Sequence, residues 1–147
     1  MFDNAPKPLL FLVIGFAVVV LYQAATRERE IDASGIASSD PWFEQQIYSE
    51  SRPVLVKFGA EWCGPCRSLD ANLDEIEPWL KDHVKVVRVD VDQQRTLAGG
   101  FGVTSIPHSF ILYRGKIVSE RKGGMATAAL KTWIVQSAET AYRTPTP

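Results

Sequence analysis

The residues that most narrow what this chain can become are Val54 to Cys66, VLVKFGAEWCGPC, where a short β-rich run leads within a few positions to the only two cysteines in the sequence. Beyond them Leu69, Leu73, Ile76 and Leu80 recur at helical spacing with acids on the other face, which predicts an amphipathic helix over Cys63 to about Lys81. Pro78 is expected to kink its end. A cysteine pair separated by two residues at a strand-to-helix junction cannot staple distant parts of a fold together. Its use must be local.

Position supplies a chemistry for the pair. A thiol at a helix N-terminus sees unpaired backbone N–H groups and the positive end of the helix dipole, and both favour thiolate over thiol. Cys63 is therefore the expected nucleophile. Cys66, one turn further on, can close a small disulfide ring with it and is the expected resolving thiol. Gly64 tolerates unusual dihedrals and Pro65 presets a helical one, so both suit the tight entry. The same C-x-x-C could be half of a zinc site, but only His83 and His108 are available to complete four ligands. A site built on Cys63, Cys66 and His108 is the weaker reading, and neither a metal nor an organic cofactor is expected.

The rest of the chain supplies the frame. Asp40-Pro41 reads as an N-cap followed by proline at the first helical position, opening a short helix that carries Trp42, Phe43 and Ile47. Strands are expected at Val54 to Phe58, Val84 to Val91, Ser109 to Tyr113 and Lys116 to Glu120, the last two joined by an Arg114-Gly115 turn. A weak helix is expected over Gln93 to Phe101, and a final amphipathic one over Ala126 to Tyr142 carries Leu130, Trp133 and Ile134. Strands alternating with helices and closing on a hairpin imply an α/β fold, with a central mixed sheet flanked by helices on both faces. With 147 residues, 46% of them hydrophobic, the chain can build one such domain, assigned to 40–142 with a tail at 143–147.

Leu9 to Tyr22, LLFLVIGFAVVVLY, carries no charge, and Pro8 to Ala25 extends the run to about the length that spans a bilayer core. Residues 1–25 are read as an N-terminal transmembrane anchor, with a cleaved signal as the rival. Residues 26–39 are polar and small and read as a linker that would hold the domain within roughly 20 Å of a membrane. Lys7 on one side roughly balances Arg27 and Arg29 on the other, so charge does not set the orientation. A net charge of −1 without a basic stripe gives no field for nucleic acid, and none is expected as a partner.

The segment from Val54 to Cys66 resembles the active-site segment of thioredoxins, and Asp90 to Asp92 with Gly102 to Pro107 matches that family's later landmarks. The resemblance covers about residues 40–140 and implies a thioredoxin-like fold. It also implies that Ile106-Pro107 is a cis peptide beside the dithiol, with the preceding backbone available to a bound substrate chain, so Ile106 and Pro107 become candidate docking residues. Trp62 is expected to serve both packing and the substrate surface. His108 could tune the dithiol electrostatically, but the favoured reading is a solvated or hydrogen-bonded histidine.

Three positions depart from the family pattern. Lys57 stands where relatives carry a buried carboxylate that accepts the resolving thiol's proton; it must snorkel to water, lose its proton or pair with an acid, and near the dithiol it could tune the pair, as a cation that stabilises thiolate or as a neutral base. Gly59 stands where many relatives carry tryptophan, and Ala71 replaces a helix-kinking proline. The resemblance implies a thiol-disulfide oxidoreductase acting on disulfide-containing protein substrates, recharged by a membrane or soluble thiol reductant. The uncharged Gly-Pro spacer favours a reductant, and by analogy with anchored relatives the expected setting is a bacterial inner membrane with the domain facing the periplasm. The alternative from another class is a redox-inactive docking or chaperone module that uses the Ile106-Pro107 surface.

Overall fold

In the computed structural model of the chain, the described residues are 14–18 and 40–143. β1 (Val54–Gly59) is buried along its whole length. A run that is apolar on both faces, broken only by Lys57, has to lie inside a sheet. It does: β2 (Lys85–Asp90) pairs parallel on one side of β1, and β3 (His108–Tyr113) pairs antiparallel on the other. β4 (Lys116–Lys122) runs antiparallel to β3, giving the order β2-β1-β3-β4. The hairpin turns through Arg114 at φ 51° and Gly115 at φ 79°, the left-handed region that two-residue turns between twisted strands require. A side chain at Gly115 would also meet the Tyr48 ring 3.0 Å away.

Strand alternation divides the core into two layers. Val54, Val56 and Phe58 face α1 (Pro41–Tyr48) and α3 (Arg95–Gly100), packing on Phe43, Ile47, Leu97 and Phe101. Leu55 and Ile111 face the other way, onto Leu69, Leu73 and Leu80 of α2 (Gly64–Leu80) and Leu130 and Ile134 of α4 (Thr127–Arg143). Burying each such aliphatic side chain contributes about 1.5–3 kcal/mol. The fold is thus an α/β arrangement, a mixed four-stranded sheet flanked by helices on both faces.

Every element expected within residues 40–143 is present, with ends displaced by one or two residues. Asp40 caps α1 as anticipated, its carboxylate accepting the Phe43 N–H at 3.1 Å. Two details differ. Trp42 shares α1 with Phe43 and Ile47 but points outward, 43% exposed. α2 continues through Pro78 to Leu80, because so near the C-terminus the missing N–H costs one hydrogen bond in the last turn. α4 extends through Arg143, the first residue assigned to the tail. The anchor assigned to 1–25 and the linker at 26–39 lie outside the described residues, as do 144–147, except that 14–18 are helical. Among the described residues no helix is long and apolar enough to cross a membrane.

Candidate active site

Where β1 ends, the chain turns into α2 through Cys63, which is the N-cap in extended conformation, with proline following in the first turn. Cys63 and Cys66 are joined in a disulfide with their Cα atoms 5.2 Å apart. The Cys66 backbone N–H donates to Cys63 Sγ at 3.2 Å, and the N–H groups of Cys66 and Arg67 both reach the Cys63 carbonyl at 3.1 Å. A donor already aimed at Sγ would stabilise the thiolate that forms there on reduction. Cys63 retains 6% exposure and Cys66 none, so a large disulfide partner meets Cys63 first.

The surround is apolar on one side and charged on the other. Ala60, Cys63 and Cys66 form a small buried cluster against which Val91 and Ile106 pack. The Ile106-Pro107 peptide is cis, and the Pro107 carbonyl accepts the Gly123 N–H at 2.8 Å. Ile106 is therefore beside the dithiol. Trp62 stands beside Cys63 at 69% exposure, with its indole N–H donating to Asp92 Oδ2 at 2.7 Å. Gly64 and Pro65 form the first turn of α2 between the two cysteines.

Of the three fates open to Lys57, the structure takes the third. Lys57 is 3% exposed and its ammonium lies 2.7 Å from Asp70 Oδ2. Asp70 Oδ1 is 3.5 Å from Arg88 Nε, while Arg88 also pairs with Asp74 and Glu77 at 2.7 and 2.8 Å. Burial works against the Arg88 charge, but the hydrogen bond and charge of Glu77, with Asp74 and Asp70, outweigh it and raise its pKa. Lys57, Gly59, Asp70, Arg88 and Asp90 line an open cleft of about 540 Å³. Gly59 makes room for the lysine: a Cβ there would lie 2.5 Å from Lys57 Nζ and 3.3 Å from Cys66 Cβ.

His108 corrects the sequence expectation. It is 1% exposed rather than solvated, and neither ring nitrogen has a hydrogen-bond partner among the described residues. Its ring packs on Phe110 at 4.2 Å, and Nε2 lies 3.3 Å from Glu120 Oε2, an ion-pair distance without hydrogen-bond geometry. Because His108 pairs opposite Phe58, it shares the α1/α3 face and lies across the sheet from Lys57. Burial lowers its pKa, Glu120 opposes this and Lys122 adds to it. Among the described residues no three His, Cys, Asp or Glu side chains converge as a metal site.

Asp70 and Arg88 were not singled out in the sequence. The available signal was spacing, since Asp70 is four residues after Cys66 and so shares its face of α2.

A family model described as Thioredoxin matches residues 35–136. The chain belongs to the thioredoxin family. It is 41% identical over 91 residues to the thioredoxin of Griffithsia pacifica, covering 62% of this chain and 84% of that protein. It is 39% identical over 94 residues to thioredoxin 1 of Synechococcus elongatus, covering 64% and 88%. The thioredoxin of Haemophilus influenzae is 34% identical over 98 residues, covering 67% and 92%. With the Cys63–Cys66 pair in place, the chain is a thiol-disulfide oxidoreductase of the thioredoxin family, and the sheet and helices described above are the thioredoxin-like fold.

Proposed function

We propose that this thioredoxin-family protein is a protein-disulfide reductase tethered to a bacterial inner membrane, its catalytic domain facing the periplasm. The observation that carries the chemistry is Cys63 at the N-cap of α2, with a backbone donor aimed at its sulfur and the exposed Trp62 beside it. In the reduced enzyme the Cys63 thiolate attacks a client disulfide, forming a mixed disulfide and releasing one client sulfur as thiolate. Cys66 then attacks Cys63 Sγ, closes the enzyme disulfide and releases the second client sulfur. Two electrons pass to the client, and a membrane or soluble thiol reductant restores the dithiol.

The direction rests on the uncharged Gly64-Pro65 spacer, which adds nothing that would favour the reduced form strongly. The tether rests on the uncharged run from Leu9 to Tyr22. Turnover of insulin disulfides by the full chain with a dithiol reductant tests the reaction, with Cys66→Ser expected to accumulate mixed disulfide and stop. A topology reporter fused after Pro147 tests the side: a periplasmic signal is expected, and a cytoplasmic one overturns the localisation. The second reading, a docking or chaperone module, is favoured by the apolar surface of Ile106 and Trp62. It wins if the parent and Cys66→Ser hold unfolded clients equally well and neither reduces insulin.

A further inference from the structure

Strand alternation puts Lys57 on the face of β1 that carries Leu55, toward α2, and α2 presents Cys66 and Asp70 one turn apart on that side. The point where a Gly59 Cβ would sit is 2.5 Å from Lys57 Nζ and 3.3 Å from Cys66 Cβ. The ammonium and the base of the resolving thiol are therefore within about 6 Å of each other, the range over which a charge biases a neighbour's ionisation. Asp70, at 2.7 Å, fixes the ammonium there.

We propose that Lys57, held by Asp70, favours the thiolate of Cys66 and so prepares it for the resolving attack. The idea rests on the reductase reading only for the use made of that thiolate. A carboxylate at this position could accept the Cys66 proton, whereas an ammonium cannot; it lowers the cost of losing that proton instead. The proton passes to water in the cleft lined by Lys57, Gly59 and Asp70. The thiolate then forms a bond to Cys63 Sγ, the bond from Cys63 to the client sulfur breaks, and the departing client thiolate takes a proton from water. Lys57 stays charged throughout, and Asp70 is a positioning residue.

The test titrates Cys66 by thiolate ultraviolet absorbance in the full chain carrying Cys63→Ser, where it is the only remaining thiol. Adding Lys57→Met is expected to raise the pH of half-ionisation by about one, the low end for a charge at this range because Asp70 offsets part of the field. Gly59→Ala provides a second variant with no change in charge: its methyl needs the space of a flexible ammonium, so that group must move and the titration rises again. Half-ionisation unchanged or lowered in these variants, in folded protein, overturns the proposal, with Gly59→Ala deciding should Lys57→Met fail to fold. Insulin reduction by the parent is measured alongside. A parent that reduces nothing removes the reductase reading while the titration still judges Lys57, and an unshifted titration beside an active parent removes only the role of Lys57.

Discussion

Neutralising the two ends of the Lys57–Asp70 pair should have unequal effects on stability, with the more exposed residue the costlier one to change. The Lys57 side chain is 4% exposed and that of Asp70 is 31% exposed. Asp70→Asn leaves an ammonium buried beside Gly59 and Cys66 without its anion, and breaking a buried pair in this way costs about 3–5 kcal/mol. Partial access of water to Asp70 places the expectation at the lower end, about 3 kcal/mol. Arg88 loses little, since Asp74 and Glu77 still hold it. Lys57→Met instead removes the desolvated charge and leaves Asp70 near Arg88 and solvent, a change expected within about 1 kcal/mol of neutral. Urea unfolding of the oxidised full chain measures both, at constant m. The double variant should be close to Lys57→Met alone, a coupling of about 2 kcal/mol or more in the cycle. An Asp70→Asn cost below about 1 kcal/mol, or equal costs for the two single variants, would refute the claim that the pair is an uneven one.

His108 should make stability depend on pH in the mildly acidic range. Burial holds its folded pKa below the ordinary 6.5, so between the two values the unfolded chain binds more protons than the native one. The contribution is complete above about 6.5 and is lost as pH falls toward the folded value, at up to about 1.4 kcal/mol per pH unit. Replacing His108 with leucine should flatten that slope in urea midpoints taken between pH 7 and 5, and an unchanged slope would place the titration elsewhere. In the layer beneath α1 and α3, Phe110 is fully buried with Phe58, Phe101 and His108 around it, so Phe110→Ala should cost about 3–5 kcal/mol. Trp42→Ala, on the exposed side of α1, should cost less than about 1 kcal/mol on the same scale.

The elements were legible because each is written in consecutive residues. The period of Leu69, Leu73, Ile76 and Leu80 marks α2, Asp40-Pro41 marks the start of α1, and Arg114-Gly115 marks the hairpin. The dithiol was legible for the same reason, since strand, turn and helix start fall within a short stretch. What pairs across elements was not. Trp62 finds Asp92 thirty positions away and His108 finds Glu120 on the neighbouring strand, and neither partner follows from local spacing. His108, expected as a solvated or hydrogen-bonded histidine, is instead buried, because it already belongs to β3 opposite Phe58.

Lys57 shows where the boundary between the two kinds of information falls. Snorkelling requires a path from the backbone to water along the side chain, and an edge strand or an uncovered face would supply it. β1 has strands on both sides, a helical layer on each face, and burial at every position, so that path is closed along the strand. The continuous apolar run Val54-Leu55-Val56 with Phe58 fits a central strand, but on the sequence alone all three fates of Lys57 stay open. In the structure the helix lying on the Lys57 side of the sheet supplies an acid. Asp70, Asp74 and Glu77 all project from α2 in that direction, but only Asp70 is close enough to the helix start to reach an ammonium beside Cys66; the other two hold Arg88, on the neighbouring strand. Gly59 completes the arrangement, because a side chain at that position would occupy the space the ammonium fills, so the departures at Lys57 and Gly59 act together in the packing behind the resolving cysteine.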